Sequence, residues 1–208
     1  MQLLLLAMGP LAAYNAVRSI AAASRACRSG LSHDVYVLPR FRMNKQFPGQ
    51  LSVQLLCHRG PVRTGWGGGG SSGSSSDGSS SGGLLRATVK SDQEKLACSI
   101  FYSLQEQGRV CVAARGAEAV FVALQSIASA RGRRAPPGRQ APVADFVTSI
   151  CWHDQEWEAQ QRVVRVMLFA MRALAPDGSV VEVASAAGSQ GGGDEEEDDE
   201  LVWPTHLA

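Results

Sequence analysis

The feature that most constrains the fold is a helix-like stretch that occurs twice. GPLAAYNAVRSIAAAS begins at Gly9 and GAEAVFVALQSIASAR begins at Gly116, an offset of 107 residues. An internal repeat of this kind predicts that the chain contains two related structural units. The identical pairs are Gly9/Gly116, Ala12/Ala119, Ala16/Ala123, Ser19/Ser126, Ile20/Ile127, Ala21/Ala128 and Ala23/Ala130, and conservative pairs are Tyr14/Phe121 and Val17/Leu124.

Two low-complexity segments divide the chain. Residues 65–83 are almost entirely Gly and Ser, which is the composition of a flexible linker. Residues 188–200 have the sequence GSQGGGDEEEDDE, and this composition predicts a disordered tail. The predicted organisation is therefore a first segment at 1–63, a linker at 64–83, a second segment at 84–175 and an acidic tail at 176–208.

The second segment has the pattern of a complete βαβαββ unit. LLRATVK is a predicted strand, and Ser91 and Asp92 can cap a helix with apolar residues at four-residue spacing that ends at Gly108. The remaining predicted elements are a strand at RVCVAA, the repeated helix to about Arg131, a loop rich in Pro and Gly, and strands within ADFVTSICW and QRVVRVMLFAMR.

The first segment has the pattern of the last four elements of this order. QLLLLAM is a predicted strand, the repeated helix covers about 11–27, and the strands DVYVLP and LSVQLLC are joined by RFRMNKQFPGQ. No counterpart of the leading strand and helix precedes them, so we expect a helix-sized apolar face that is uncovered unless a partner fills it. A shorter gene product, an unusual start site and docking against the second segment are all open explanations.

The short motifs resemble one protein family. TVKS at 88–91, the turn at Gly116, SARG at 129–132 and the closing β-hairpin resemble the stage V sporulation protein S family, within the Alba-like superfamily. In the first segment, GPLAAYNAVRSIAAA and VLPRF are similar to the same family. The resemblance implies an α+β fold, an Alba-like βαβαββ two-layer sandwich, duplicated with the first copy lacking its leading strand and helix.

The resemblance also implies a function. Alba-like proteins dimerise and bind DNA or RNA, and a lysine at the end of their first strand contacts the nucleic-acid backbone. The matching residue here is Lys90, and the first segment has no match. A helix position that is usually basic is Arg18 in the first segment and Gln125 in the second. We expect the two segments to pair as a pseudo-dimer within the chain, or the chain to form a homodimer.

Charge is distributed unevenly along the chain. Residues 1–63 contain eight Lys or Arg and a single acid, Asp34, whereas the tail contains DEEEDDE without a base. This asymmetry indicates an anionic partner and a competing tail, and a tail that only aids solubility is the alternative. The candidate phosphate-binding residues are Arg18, Arg25, Arg40, Arg42, Lys45, Lys90, Arg131, Arg133 and Arg134.

Two turns and two hairpins refine this prediction. Gly9 and Gly116 each precede a helix, where backbone amides can face an anion, although a plain tight turn explains them equally well. RFRMNK is predicted to be an arm with its arginines on one side and Phe41 free to stack. The matching hairpin at 153–161 is acidic and should repel phosphate, for which the arginines of loop 131–139 can compensate.

Cysteine usage and the N-terminus bear on location. Five cysteines with no C-x-x-C pair favour an intracellular, reducing compartment, without resolving cytoplasm, nucleus or organelle. The acid-free, Ala-rich start can pass for a transit or signal peptide, but the internal copy of its helix favours a folded element. No apolar run is long enough to cross a bilayer, so no membrane partner is expected.

The sequence predicts a binding protein and not an enzyme. It contains no G-x-S-x-G motif and no Walker loop, and we expect no cofactor and no metal site. The predicted function is nucleic-acid binding, mainly through the phosphate backbone and with low sequence specificity, with DNA and RNA both open. The alternative is a protein-interaction scaffold or regulatory module that has lost nucleic-acid binding.

Overall fold

The computed structural model describes residues 2–43, 51–61, 83–133, 145–157 and 162–181. The strands are β1 (Gln2–Met8), β2 (His33–Met43), β3 (Leu51–Pro61), β4 (Leu84–Ala87), β5 (Arg109–Ala114), β6 (Asp145–Trp157) and β7 (Arg162–Leu174). The helices are α1 (Gly9–Leu31), α2 (Gln93–Gln107) and α3 (Ala117–Arg131).

All of these strands form one sheet, in the order β1-β3-β2-β6-β7-β5-β4. Strands from residues 2–61 occupy one half of the sheet, and strands from residues 84–174 occupy the other. The halves join where β2 pairs antiparallel with β6, through Tyr36 with Ser149 and Val37 with Thr148. Within the described strands, β4 and β5 form the single parallel pair. The two segments are therefore continuous through backbone hydrogen bonds.

The helices form a second layer against one face of the sheet. α1 contacts α3, and α3 contacts α2, so the layer is continuous across both halves. The core between the layers is one apolar cluster. Its largest fully buried side chains include Leu55, Ile100, Leu124, Ile127, Phe169 and Met171. The predicted two-layer α+β architecture is confirmed.

Local chemistry accounts for the helix ends. Asp92 Oδ1 accepts hydrogen bonds from the backbone amides of Glu94 (2.9 Å) and Lys95 (3.0 Å), which satisfies two of the free donors of the first turn of α2. The same helix ends at Gly108, whose φ of 67° is the left-handed conformation that glycine adopts without strain. The predicted start and end of α2 are confirmed. Helix α1 has no side-chain cap, but Pro10 occupies its first turn, where a missing amide costs nothing.

Strand β2 is longer than predicted, and this changes where two candidate residues lie. The strand continues to Met43, with Arg40 opposite Gln54 and Arg42 opposite Ser52 of β3. The prediction that both arginines lie in a hairpin loop was wrong, because pairing with β3 extends the strand beyond the apolar sequence. Lys45, the third residue of that predicted arm, lies outside the described residues.

Strand β4 is shorter than predicted. It ends at Ala87 because Thr88 and Ser91 close a turn behind it. The Ser91 amide donates to the Thr88 carbonyl oxygen (3.1 Å), and the Thr88 amide donates to Ser91 Oγ (2.9 Å). Lys90 therefore lies in the turn between β4 and α2, and not at the end of the strand.

The last strands also extend beyond the predicted limits. β6 continues to Trp157, so the first part of the predicted acidic hairpin is strand, while 158–161 lie outside the described residues. After β7, Val181 donates its amide to the Ala173 carbonyl oxygen (3.0 Å), so the chain folds back on the strand. The predicted linker at 62–82, the loop at 134–144 and the tail at 182–208 also lie outside the described residues. None of the helices described here has the length and apolarity needed to span a membrane.

Candidate functional site

A groove lies between the end of β2 and the C-terminal half of α3. Its volume is about 620 Å³. The β2 side is lined by residues 39–42, the helical side by Gln125, Ser129 and Arg131, and one end by Gln93 of α2. Both halves of the molecule therefore contribute to the groove, and most of its lining side chains are polar.

Cationic side chains border the groove from two directions. Arg40 and Arg42 are exposed and flank Phe41 on β2, so strand alternation projects them together from one side of the strand. Neither has a carboxylate partner within the part of the chain that the structure describes. Arg131 borders the groove from α3. The predicted pair Arg40 and Arg42 thus meets one predicted arginine of the second segment.

The arginines of the second segment are held in ion pairs. Arg131 Nη2 lies 2.5 Å from Asp145 Oδ2, and its guanidinium carbon lies 5.4 Å from the ring centre of Phe146. Arg133 pairs with Glu94 of α2. A phosphate must compete with these carboxylates, whereas Arg40 and Arg42 are open. Arg134, also predicted to bind phosphate, lies outside the described residues.

Phe41 forms part of the groove wall and packs into the core. Its ring meets the ring of Phe121 edge-on, with centroids 5.5 Å apart and an interplanar angle of 81°. The side chain is half-buried and belongs to the rim of the apolar core. This packing removes much of the ring face that stacking with a base requires. Phe41 instead fixes the position of the two arginines beside it.

A second cationic cluster lies on α1. The Arg18 guanidinium lies 5.8 Å from the ring centre of Tyr14 and 6.0 Å from that of Trp152. Arg165 of β7 lies 5.8 Å from the same Trp152 ring. Arg18 thus rests on aromatic surface, which holds it by cation–π attraction. Arg25, seven residues further along α1, is exposed as predicted from its spacing.

The two clusters occupy corresponding places. Trp152 follows Phe41 by 111 residues, and Thr148 follows Val37, its partner at the β2–β6 junction, by the same number. On the helices, Phe121 occupies the place of Tyr14. The helix of each half thus contacts the penultimate strand of the other half, so the contact between Phe121 and Phe41 has a counterpart in the α1 cluster around Trp152.

An aspartate at the start of a strand is held in the same way in each half. Asp34 Oδ1 accepts from the Val35 amide (2.8 Å), and Asp145 Oδ1 accepts from the Phe146 amide (2.8 Å). The other carboxylate oxygen of Asp34 accepts from Arg28 Nη2 (2.5 Å), which parallels the Arg131 pair. Ser24 also donates its hydroxyl to Asp34. Arg28, although basic, is consequently a structural residue.

The predicted turns and Lys90 are placed as follows. Gly9 has a φ of 77° and Gly116 a φ of 83°, conformations that require glycine, and an added Cβ would meet open space at both. The tight-turn interpretation of both residues is therefore sufficient. Lys90 is exposed in its turn. It does not line the groove.

The cysteines are free and mostly shielded. Burial raises the pKa of Cys57 to about 11 and that of Cys111 to about 12. Burial is also the main cause that raises the pKa of Cys151. These thiols are protonated near neutral pH and poor nucleophiles. In the described ranges no three His, Cys, Asp or Glu residues come together as a metal site.

The family comparison bears on the second half. Residues 83–156 match the family Stage V sporulation protein S (SpoVS). The match covers β4, α2, β5, α3 and nearly all of β6, and confirms the resemblance of this segment to the SpoVS family. It ends before β7 and does not include the first segment, so the incomplete first copy stays a prediction. A comparison with curated proteins found no match.

Sequence reasoning missed several residues that shape these sites. Gln93 and Gln125 line the groove, and Trp152 supports Arg18, but an isolated Gln or Trp gives no signal of its own. A usable signal existed for the aspartates, because HDVYV and ADFVT carry Asp at the same place in each copy. It was hidden because Asp34 was counted only as the lone acid of a basic segment.

Proposed function

We propose that this chain is a non-enzymatic nucleic-acid-binding protein. It binds DNA or RNA mainly through phosphate contacts and with low sequence specificity. The observation that carries the proposal is the groove where Arg40 and Arg42 of the first half meet Arg131 of the second. Its open guanidinium groups can each donate two parallel hydrogen bonds to a phosphate. The resemblance to Alba-like proteins supports the same function.

The chemistry of the groove favours backbone contacts over base readout. Gln93, Gln125 and Ser129 add neutral donors beside the arginines, which suits sugar and phosphate oxygens. The ion pair of Arg131 is partly exposed, since the two side chains keep 22% and 45% of their accessible surface. Such pairs contribute little net stability, so a phosphate can replace the carboxylate at small cost. Lys90 and Arg18 would extend the contact surface beyond the groove.

The test is a fluorescence anisotropy titration of the full chain with single-stranded RNA and duplex DNA, each at low and moderate salt. Arg40→Ala with Arg42→Ala should weaken binding about tenfold or more and lower the slope of log K against log salt by about 2 for duplex DNA, since each lost phosphate contact removes about 0.9. The matched control is Arg59→Ala with Arg115→Ala, which removes the same charge from two exposed residues outside the groove.

The outcomes separate the possibilities. Equal losses in both double variants would mean that net charge, and not this groove, governs binding. No binding of either nucleic acid at low salt would refute the proposal.

A protein-interaction scaffold or regulatory module is the second candidate function. Apolar side chains on β1 favour it, because Leu4, Leu6 and Met8 keep 51%, 67% and 53% of their surface exposed on a strand at the edge of the sheet. Exposed apolar surface of this kind is typical of protein contacts. The two functions are compatible, because the groove and β1 lie at different places on the sheet.

A further inference from the structure

Identical helix residues have opposite environments in the two halves. On α3, a stripe of small residues packs beneath α2 and is almost fully buried: Ala119 2%, Ala123 0%, Ser126 0% and Ala130 1% exposed. The same four residue types occur on α1 at Ala12, Ala16, Ser19 and Ala23. There, Ala16 is half-buried and the other three are exposed. The helix that covers the stripe in one half is missing in the other.

The strand beside each helix shows the same difference. Leu3 of β1 is 50% exposed, whereas Val110, which follows it by 107 residues on β5, is 0% exposed. β5 is paired along one side with β4 and covered by α2. β1 is the last strand of the sheet, so one of its sides carries no partner strand among the described residues. An edge strand with exposed leucines is a template for an added strand.

We infer that the free edge of β1 and the small-residue stripe of α1 form a docking site for a strand–helix segment of another protein. The incoming segment has the chemistry of residues 84–108 of this chain: a short apolar strand parallel to β1, then a capped helix with large apolar residues at four-residue spacing. This inference does not depend on nucleic-acid binding. Strand addition of this kind uses main-chain hydrogen bonds for affinity and side-chain pockets for specificity.

The second half shows how such a segment fits. Leu85 lies opposite Val112, and Ala87 lies opposite Ala114, in the parallel pairing of β4 with β5. The corresponding residues of β1 are Leu5 and Ala7, which already face the apolar core. The pairing therefore needs no change in β1.

Size complementarity selects a strand–helix segment over a second copy of this chain. α2 buries Leu96, Ile100 and Leu104, and these large side chains fill the space that the small residues of α3 leave. Glu94 adds a polar contact at the helix start, where it accepts the hydroxyl of Ser129 (2.9 Å). Two copies meeting through β1 would instead bring small residues of α1 against small residues of α1, which buries little area.

The probe is a fluorescein-labelled peptide of residues 84–108, titrated with the full-length protein and followed by anisotropy. We expect saturable binding that is insensitive to salt. Ala23→Glu should weaken it about tenfold or more, because docking would bury an unpaired carboxylate. The matched control is Leu11→Glu, which adds the same charge to α1 at an exposed position where α3 itself carries Glu118. A peptide with Leu96, Ile100 and Leu104 changed to Ser should not bind.

The other results would overturn the inference. Failure of the peptide to bind the wild-type protein would do so. Unchanged affinity in Ala23→Glu would show that the peptide only exchanges with its own copy beside α3. A dimer in sedimentation velocity that Ala23→Glu dissociates would assign the surface to a second copy of the chain.

Discussion

The two halves of the sheet share one order of elements and differ in what covers them. Residues 2–61 and 109–174 both run strand, helix, strand, strand, and each ends in a long antiparallel pair. Only the second half has a preceding strand and helix, β4 and α2, against its first strand. The same helix sequence is therefore a buried element in one half and a surface element in the other.

This difference shows that a repeated sequence keeps its fold without keeping its environment. α1 forms although its small-residue stripe is uncovered, because Val17, Ile20 and Ala21 bury a second face against the sheet. Burial of one face is enough for a helix that also packs against α3. The other face is then free for a different use, and the basic residues of the first half show one such use.

The largest expected difference between the halves comes from one substitution made at equivalent places. Ala130→Glu should lower the free energy of unfolding by about 3–5 kcal/mol, because the site is buried beneath α2 and cannot pair a carboxylate. Ala23→Glu should change it by about 0.5 kcal/mol or less, since Ala23 is exposed. Urea denaturation followed by circular dichroism measures both. Similar losses at the two positions would contradict the difference in cover.

The paired aspartates should differ in the same measurement, but less. Asp34 is 4% exposed and accepts from Ser24, Val35 and Arg28, so Asp34→Ala leaves a partly buried guanidinium without its partner. We expect a loss of about 3 kcal/mol. Asp145 keeps 45% of its side-chain surface, and Asp145→Ala should cost about 1 kcal/mol or less. Asp34→Asn and Asp145→Asn are the controls that preserve shape, and a larger loss at Asp145 would reverse the ranking.

The cationic sites should contribute unequally to nucleic-acid affinity. Arg40 and Arg42 are open, whereas Arg18 already lies on the rings of Tyr14 and Trp152. We expect Arg18→Ala with Arg25→Ala to lower the salt slope by about 1, against about 2 for the groove pair. Anisotropy at three salt concentrations gives both slopes. A larger change for the α1 pair would move the main contact to the cluster at Trp152.

The repeat and the apolar periodicities were enough to predict the order of elements and the two-layer class. The cap at Asp92 and the end at Gly108 also followed from local chemistry. The junction of the halves did not, because Tyr36 with Ser149 and Val37 with Thr148 pair across more than a hundred residues. Nothing in a single strand specifies which edge it will meet.

The candidate site was predictable only in its residue types. Clustered arginines could be recognised, but Arg40 and Arg42 were assigned to a loop because the pairing partner that extends β2 is not local. The ion pairs of Arg131 and Arg133 depend on Asp145 and Glu94, which are distant in sequence and close only in the fold. The groove itself arises from both halves, so no segment taken alone contains it.

The smallest expected effect compares one buried thiol from each half. Burial raises the pKa of Cys57 to about 11 and that of Cys111 to about 12, so at any lower pH the thiolate fraction of Cys57 is about tenfold larger. Cys57 also lies on β3, beside the uncovered strand β1, whereas Cys111 lies on β5, which β4 pairs and α2 covers. We therefore expect pulse alkylation with iodoacetamide, followed by peptide mass spectrometry, to label Cys57 about tenfold faster than Cys111.

The sign of the pH effect follows from the direction of these shifts. A thiol whose pKa is raised by folding binds its proton more tightly in the folded state, so its contribution to stability is complete below the unfolded pKa of about 8.5. That contribution is lost as pH rises through about 11 for Cys57 and about 12 for Cys111. Stability should consequently fall above about pH 8.5, and Cys57→Ala with Cys111→Ala should flatten the fall. Equal alkylation rates at the two cysteines would mean that the first half opens no more readily than the second, and that the missing strand and helix leave its sheet fully protected.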